Sequence, residues 1–234
     1  MGPSDTTPTR ARTALIIGAS RGLGLGLVQE LTRRGWQVTA TTRSPDAEPA
    51  VRRAGAVAVD QIDIDDSAAV DALVHRLEGH RFDLVFLNAG VIGPEHRSVD
   101  QVTREEIGQL MQTNAISPIR LAYRLLPLIT PGGTLAFMTS ILGSVGGNTT
   151  GGTVLYRASK AALNSLTRSL VADLKGADIT VLSVHPGWVR TDMGGPNATL
   201  DIATSVRGVV DQVEQRAGTG AHAFIDYAGK ELPW

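Results

Sequence analysis

The chain has 234 residues, 42% of them hydrophobic and 19% charged, with a formal net charge of −1. That is core material for one large α/β domain, and so even a charge balance excludes the electrostatic footprint of a nucleic-acid binder or of a protein held on an acidic membrane. There is no cysteine, which removes disulfides, thiol nucleophiles and cysteine-held metal clusters together, and the five histidines (His75, His80, His96, His185, His222) stand at no metal-ligand spacing.

Residues 1–12 are polar with two prolines and read as a loose tail before a single domain over 13–234. The tail has no apolar signal-peptide stretch, and no apolar run reaches the roughly 18 residues of a membrane span, so the expected compartment is the cytoplasm. Thr13–Ile17 reads as a strand, Leu23–Arg34 as an amphipathic helix closed by Gly35, Gln37–Thr42 as a second strand and Ala56–Val59 as a third. Asp66 or Ser67 caps a helix to about Leu77, and Phe82–Leu87 is a near-continuous apolar strand. A long helical pattern covers Thr103 to Ile129, interrupted by Pro118 and Pro127. Then follow a strand at Thr134–Thr139, a glycine-rich loop to Thr153, a helix from about Leu155 to Leu174, a strand at Ile179–His185, a helix at Leu200–Arg216 and a short strand at Ala223–Ile225. Short strands alternating with helices predict a single doubly wound Rossmann-type α/β domain, with about seven parallel strands and ligands at their carboxyl ends.

The first strand hands over to the first helix through Ile17-Gly18-Ala19-Ser20-Arg21-Gly22-Leu23-Gly24. Glycines let the backbone turn tightly and approach a phosphate, and the free N–H groups of a helix start attract an anion. Such a turn is by itself equally a plain turn; its position after the first strand of a βαβ series is what favours phosphate. The spacing G-x-x-x-G-x-G resembles the cofactor loop of the short-chain dehydrogenase/reductase family. That resemblance implies a nicotinamide dinucleotide held by Gly18, Ser20, Arg21, Gly22, Leu23 and Gly24. After the second strand an acid would bind a free ribose hydroxyl, whereas arginine suits a 2′-phosphate. The chain has Thr41-Thr42-Arg43 there, with Arg21 as a second cation, so NADP(H) is expected over NAD(H). The resemblance further sets Asp63 and Ile64 at the adenine edge, although Asp60, Asp65 and Asp66 lie within a register shift. It identifies Asn88-Ala89-Gly90 as the family's N-A-G motif, which leaves room for the cofactor.

Reduction of a carbonyl needs a proton donor and a cation that tunes it. Tyrosine titrates near about pH 10, and an ammonium beside it stabilises the phenolate. Residues four apart share a helix face, so Tyr156-Arg157-Ala158-Ser159-Lys160 delivers that pair. With three tyrosines and three lysines in the chain, chance gives any such pair with a probability of about 0.04. The resemblance adds Ser140 as the residue that hydrogen-bonds the substrate oxygen, with Thr139 and Ser144 as rivals. It adds Asn114 as the support of a proton relay to Lys160, and Pro186, Gly187, Val189 and Thr191 as the segment against the nicotinamide. Ser140 stands 16 positions before Tyr156, about three more than is usual for that family, a difference a loop absorbs readily.

Gly143-Ser144-Val145, Asn148-Thr149-Thr150-Gly151-Gly152, the run His185 to Gly195 and the closing Gly229-Lys230-Glu231-Leu232-Pro233-Trp234 resemble the C-factor and sniffer-like carbonyl reductase branch. That branch also contains a protein associated with intercellular signalling. The expected function is therefore NADP(H)-dependent interconversion of a carbonyl and an alcohol, with Tyr156 as general acid/base. A nucleotide-binding sensor with little turnover is the alternative, since fold does not dictate function. Val91, Ile92, Ile141, Leu142, Val145, Trp188 and Met193 suggest an apolar or aromatic substrate. Family resemblance implies a homodimer or homotetramer.

Overall fold

A computed structural model describes residues 10–94 and 99–234. Its centre is a seven-stranded parallel sheet in the order β3-β2-β1-β4-β5-β6-β7. The strands are β1 (Thr13–Ile17), β2 (Gln37–Thr42), β3 (Ala58–Gln61), β4 (Phe82–Leu87), β5 (Ile129–Met138), β6 (Ile179–His185) and β7 (His222–Asp226). The helices are α1 (Gly22–Arg33), α2 (Glu48–Arg53), α3 (Ser67–Arg76), α4 (Arg104–Met111), α5 (Ser117–Leu125), α6 (Val154–Leu174) and α7 (Ile202–Arg216). Because helices cover both faces, the buried stretches of the central strands are mainly apolar at consecutive positions rather than at alternate ones. Leu15, Ile16, Leu84, Val85, Phe86, Leu135, Ala136 and Phe137 are each fully buried. On one face, Leu27, Val28 and Leu31 of α1 pack with Val206, Val209, Val210 and Val213 of α7. On the other, Leu73, Leu121, Leu125, Leu163 and Leu170 come from α3, α5 and α6. No helix of the described residues is long and apolar enough to cross a membrane.

Helix ends follow local chemistry. Asp66 accepts from the N–H groups of Ala68 and Ala69 to start α3. Thr103 and Glu106 form a reciprocal capping box at α4, and Asp201 accepts from Thr204 at α7. Each satisfies orphan donors of a first turn. Gly35 at φ +80° ends α1, as its sequence position predicts.

Several elements differ from expectation, among them α7, which begins at Ile202 and not Leu200, and β7, which spans His222–Asp226 and not Ala223–Ile225. β3 lies two residues later than Ala56–Val59, because its register on β2 pairs Thr39 with Ala58 and Thr42 with Gln61. Helix α2 was not expected at all, since only Val51 of its six residues is buried and it shows no helical period. The long pattern from Thr103 breaks into α4, a π-helical turn at Gln112–Ile116, α5 and a 3-10 turn at Leu126–Leu128. Pro118 has no N–H to offer the carbonyl four residues earlier, that of Asn114, and a widened turn accommodates the loss. β5 then begins at Ile129, ten residues long instead of six. Of the tail expected over 1–12, residues 1–9 lie outside the described residues. Arg10 and Arg12 are ion-paired to the domain through Asp83 and Glu214.

Candidate active site

The strand order reverses between β1 and β4, and the crevice beyond their carboxyl ends is where a doubly wound sheet takes a ligand. Gly18 adopts φ +88°, and a Cβ there would stand 2.9 Å from Ala89. Asn88 donates its side-chain amide to the Gly18 carbonyl at 2.7 Å, while Thr41 Oγ1 accepts from the Gly18 N–H at 3.1 Å. Asn88 and Thr41 thus hold the turn from both neighbouring strands. Gly24 packs so tightly that a Cβ would be 2.1 Å from the Gly18 carbonyl. Ser20, Gly22 and Leu23 complete the turn, half-buried. Arg21 stands at the N-cap of helix α1 in extended conformation, and the helix has no side-chain cap and no acid in its first turn. Its N-terminal donors and positive dipole end are open to an anion, which is the donor set a pyrophosphate needs.

Arg21 turns across the crevice to Asp192 at 2.6 Å, both side chains three-quarters exposed. Arg43, at the end of β2, is exposed and makes no side-chain hydrogen bond or ion pair among the described residues. After β3 four acids divide the work. Asp60 pairs with Arg76, Asp65 accepts from Gln109 and Thr113, and Asp66 caps α3. Asp63 is exposed and accepts only from the Asp65 N–H at 3.0 Å, leaving an oxygen free among the described residues. Ile64 beside it is buried in the core.

The carboxyl ends of β4 and β5 meet α6 in a connected cluster. Asn114, fully buried on the π turn, accepts from the Val91 N–H at 2.8 Å and donates to the Val91 carbonyl at 2.8 Å and to Ser159 Oγ at 3.0 Å. Ser159 in turn donates to the Tyr156 carbonyl at 2.8 Å. Lys160 is buried and donates to the Met138 carbonyl at 3.0 Å, its ammonium 5.9 Å from the centre of the Tyr156 ring. A Cβ on Gly90 would stand 3.2 Å from Asn114 Oδ1 and 3.4 Å from Lys160 Nζ, so the glycine keeps open the space in front of both.

The rivals of Ser140 are occupied elsewhere. Thr139 donates to Asn164 at 2.8 Å and Ser144 to the Pro233 carbonyl at 2.5 Å. Ser140 Oγ, nearly buried, accepts from the Leu142 N–H at 3.1 Å. Beyond β6, Pro186 accepts from Ser205, and Gly187 at φ +83° has no room for a Cβ beside Leu200. Val189 is buried on a bridge to Leu200. Thr191 accepts from Gly194 at 3.1 Å, with its methyl 3.6 Å from where a Gly22 Cβ would be. The glycine turn and this segment therefore form two sides of one cleft. Trp188 and Met193 are about half-exposed, and Met193 Sδ lies 3.9 Å from the Tyr156 hydroxyl. The other apolar residues expected at the mouth separate. Val91 and Ile92 line a hollow of about 280 Å³ beside α4, and Leu142 and Val145 line one of about 220 Å³ beside α6. Ile141 is exposed.

The electrostatics correct one expectation. Tyr156 is not depressed by Lys160; burial pushes it up to about 12, with the Ser140 hydroxyl acting in the opposite direction. Burial also takes Lys160 down to about 8. The ammonium stands over the ring rather than at the hydroxyl, so desolvation outweighs its attraction for a phenolate. Ser159 and the Met138 carbonyl were not foreseen. Ser159 carries a signal, three residues after Tyr156 on the same helix face; a main-chain acceptor carries none.

Residues 12–200 match the short chain dehydrogenase family model. The chain is a short-chain dehydrogenase/reductase. Its fold superposes with a TM-score of 0.89 on a carbonyl reductase from Pseudomonas aeruginosa in complex with NADP, at 40% identity over 96% of this chain and 100% of that one. The carbonyl reductase Sniffer of Drosophila melanogaster gives 0.85 at 35% identity, over the same shares. In sequence, the C-signal of Myxococcus xanthus is 39% identical over 154 residues, 65% of this chain and 92% of that protein. The dehydrogenase/reductase is thus an oxidoreductase of the carbonyl-reductase-like branch, with neighbours that bind NADP.

Proposed function

We propose that this enzyme reduces a ketone or aldehyde with NADPH, Tyr156 giving its proton to the carbonyl oxygen. The observation that carries the reading is the unbroken chain of contacts from Val91 through Asn114 and Ser159 to the Tyr156 backbone, with Lys160 alongside. NADPH supplies the hydride when bound, held by the uncapped start of α1, the Gly18–Gly24 turn, Asn88–Gly90 and the Pro186–Thr191 segment. Asp63 is the acid left available for the adenine edge.

Tyr156, kept protonated by burial, is in the form that a reduction consumes. Lys160 keeps its ammonium beside the ring through the Met138 carbonyl and favours the tyrosinate once the proton has left. Ser140 presents a hydroxyl to orient the substrate oxygen. Asn114 holds the strand-end turn against α6 and supports proton return toward Lys160. Arg43 is free to meet a 2′-phosphate, and the exposed Arg21–Asp192 pair is weak enough for a phosphate to replace it. Exposed Trp188 and Met193 favour an apolar or aromatic carbonyl. Exposed Ile107, Tyr123 and Val154, on α4, α5 and α6, support a homodimer or homotetramer built on those helices.

The test is oxidation of NADPH and of NADH with a panel of aromatic ketones, aldehydes and quinones, by wild type, Tyr156→Phe and Arg43→Ala. The expected result is a preference for NADPH, a loss of roughly a hundredfold or more in the phenylalanine variant, and an NADPH Kd weakened roughly tenfold in the alanine variant with NADH unchanged. Tight NADPH binding with no turnover on any member would replace this reading with a cofactor sensor.

A further inference from the structure

The segment after β7 doubles back over the sheet edge. Asp226 accepts from Ala228 and Lys230 to make the turn, and Glu231 bridges antiparallel to Ile225. The Leu232 N–H then donates to the Phe224 carbonyl at 2.8 Å. This brings Trp234 between three side chains: its ring centre lies 5.3 Å from Phe224 and 4.8 Å from His222, and the Arg168 guanidinium of α6 stands over it at 5.0 Å. An aromatic ring with a cation on its face and a second ring at its edge is a firm anchor. The tail is therefore fixed to β7 and α6 together.

What the anchored tail touches is the loop that leaves Ser140. Ser144 Oγ donates to the Pro233 carbonyl at 2.5 Å and accepts from the Gly147 N–H at 2.9 Å, and the Gly146 N–H donates to the Trp234 carbonyl at 2.9 Å. These bonds fall where burial stops: Ser144 is 2% exposed, whereas Val145 is 74% exposed and residues 146–152 are exposed. Upstream, Ser140 opens a 3-10 turn, and Gly143 lies so close to Lys160 that a Cβ would be 2.8 Å from the Lys160 carbonyl carbon. Ser140 is thus four residues from the tail contact, with no slack between them. The far end of the same loop is tied separately, by Arg157 to the carbonyls of Gly151 and Gly152.

We propose that Pro233 and Trp234 are positioning residues for the reduction: the tail clamps the near end of the long Ser140–Tyr156 loop and so holds the Ser140 hydroxyl in register with Tyr156. The loop's extra length makes a clamp necessary, because a run of exposed glycines carries little order of its own. The clamp lies away from the glycine turn that takes the cofactor, so it acts on the chemical step and not on cofactor affinity.

This rests on the carbonyl-reductase reading, and wild type against Tyr156→Phe checks that reading first. The proposal is tested with Trp234→Ala, Trp234→Phe and Ser144→Ala, using the panel member that wild type turns over fastest and working well below each variant's Tm. Expected is a kcat lowered about tenfold in Trp234→Ala and Ser144→Ala with the NADPH Kd held within about twofold, and recovery of most of kcat in Trp234→Phe, which keeps a ring under Arg168. Were Trp234→Ala not to fold, Ser144→Ala decides, since it removes the donor to Pro233 and the acceptor for Gly147 on the loop itself while leaving the tail's own packing intact. A lowered Tm with unchanged kcat would make the tail structural only and overturn the proposal. A Kd that weakens in step with kcat would overturn it too, as general loosening. Absence of Tyr156-dependent turnover in wild type would instead sink the underlying reading, and the positioning role with it.

Discussion

Lys160 shows how a single residue serves function against stability. Its ammonium is buried with one backbone acceptor, and burial lowers it to about 8 from 10.5. The unfolded chain binds that proton more tightly than the folded one, so below the unfolded value the charge costs folding free energy, and the cost disappears once the lysine is neutral. Lys160→Met should therefore raise Tm at neutral pH while lowering kcat/KM for reduction roughly a hundredfold. Thermal melts and steady-state rates on one preparation check both signs, and a variant that loses stability as well as activity would contradict the account. The same value sets a pH dependence. Tyr156 holds its proton to about 12, so the first group lost on raising pH is the Lys160 ammonium. Reductive kcat/KM in wild type should be level from about 6.5 to about 8 and decline above it. A profile level to about pH 10 would show that Lys160 charge is not needed.

At the scale of elements, the glycine turn and the α1–α7 contact allow a matched pair of substitutions. Gly24 and Gly26 are two residues apart on α1, yet their missing side chains face different neighbours. A Cβ on Gly24 would meet the Gly18 carbonyl at 2.1 Å and the Asn88 amide at 2.7 Å, whereas one on Gly26 would meet Ile202 Cγ2 at 2.7 Å and Val206 Cγ1 at 3.1 Å. Backbone cannot step aside as a side chain can. Gly24→Ala should distort the turn and weaken NADPH binding at least tenfold. Gly26→Ala should lower stability by about 1–3 kcal/mol through overpacking of α1 on α7, with the NADPH Kd within about twofold. Isothermal titration and denaturant melts separate the two, and equal losses of affinity would refute the assignment. Elements also show where the sequence was readable. Strands buried on both sides, such as β1 and β4, announce themselves by nearly continuous apolar runs, and their bounds match expectation to the residue. Edge strand β3 is only half-buried, its A-V-A-V stretch admits more than one start, and its pairing with β2 chose the later one. The α2 helix had no period to read. Tyr156 and Lys160 were legible because helix geometry converts a spacing into a shared face. The π turn that delivers Asn114 was expected only as an irregularity near Pro118, since which turn widens depends on packing between α4, α5 and α6.

At the scale of the whole molecule, acid should act in two stages. His185, beside Asp226 at the ends of β6 and β7, and His222, under Trp234, are both taken down to about 4 from 6.5. Burial dominates in each; Asp226 opposes it at His185, and Arg168 adds to it at His222. A histidine whose folded value is depressed binds its proton in the unfolded chain first. Between pH 6.5 and 4 the unfolded state therefore holds more protons, and stability falls as pH falls through that window. The carboxylates act later. Glu30 is held at about 2, chiefly by its hydrogen bond from Arg33, with Arg34 assisting. Its stabilisation is complete above 4.5 and is lost only as pH drops from there through about 2. Urea midpoints measured from neutral pH downwards should thus decline well before the carboxylates titrate, and His222→Gln should flatten the upper part of that decline. Because His222 lies against Trp234, charging it in the folded chain loosens the tail anchor only near pH 4, so kcat in wild type should hold while the midpoint falls and drop only as pH approaches about 4, less so in His222→Gln. A midpoint that holds steady down to about 4.5 in wild type would mean that both imidazoles keep ordinary values, and that burial at the β6–β7 edge does not govern the acid limit of the fold.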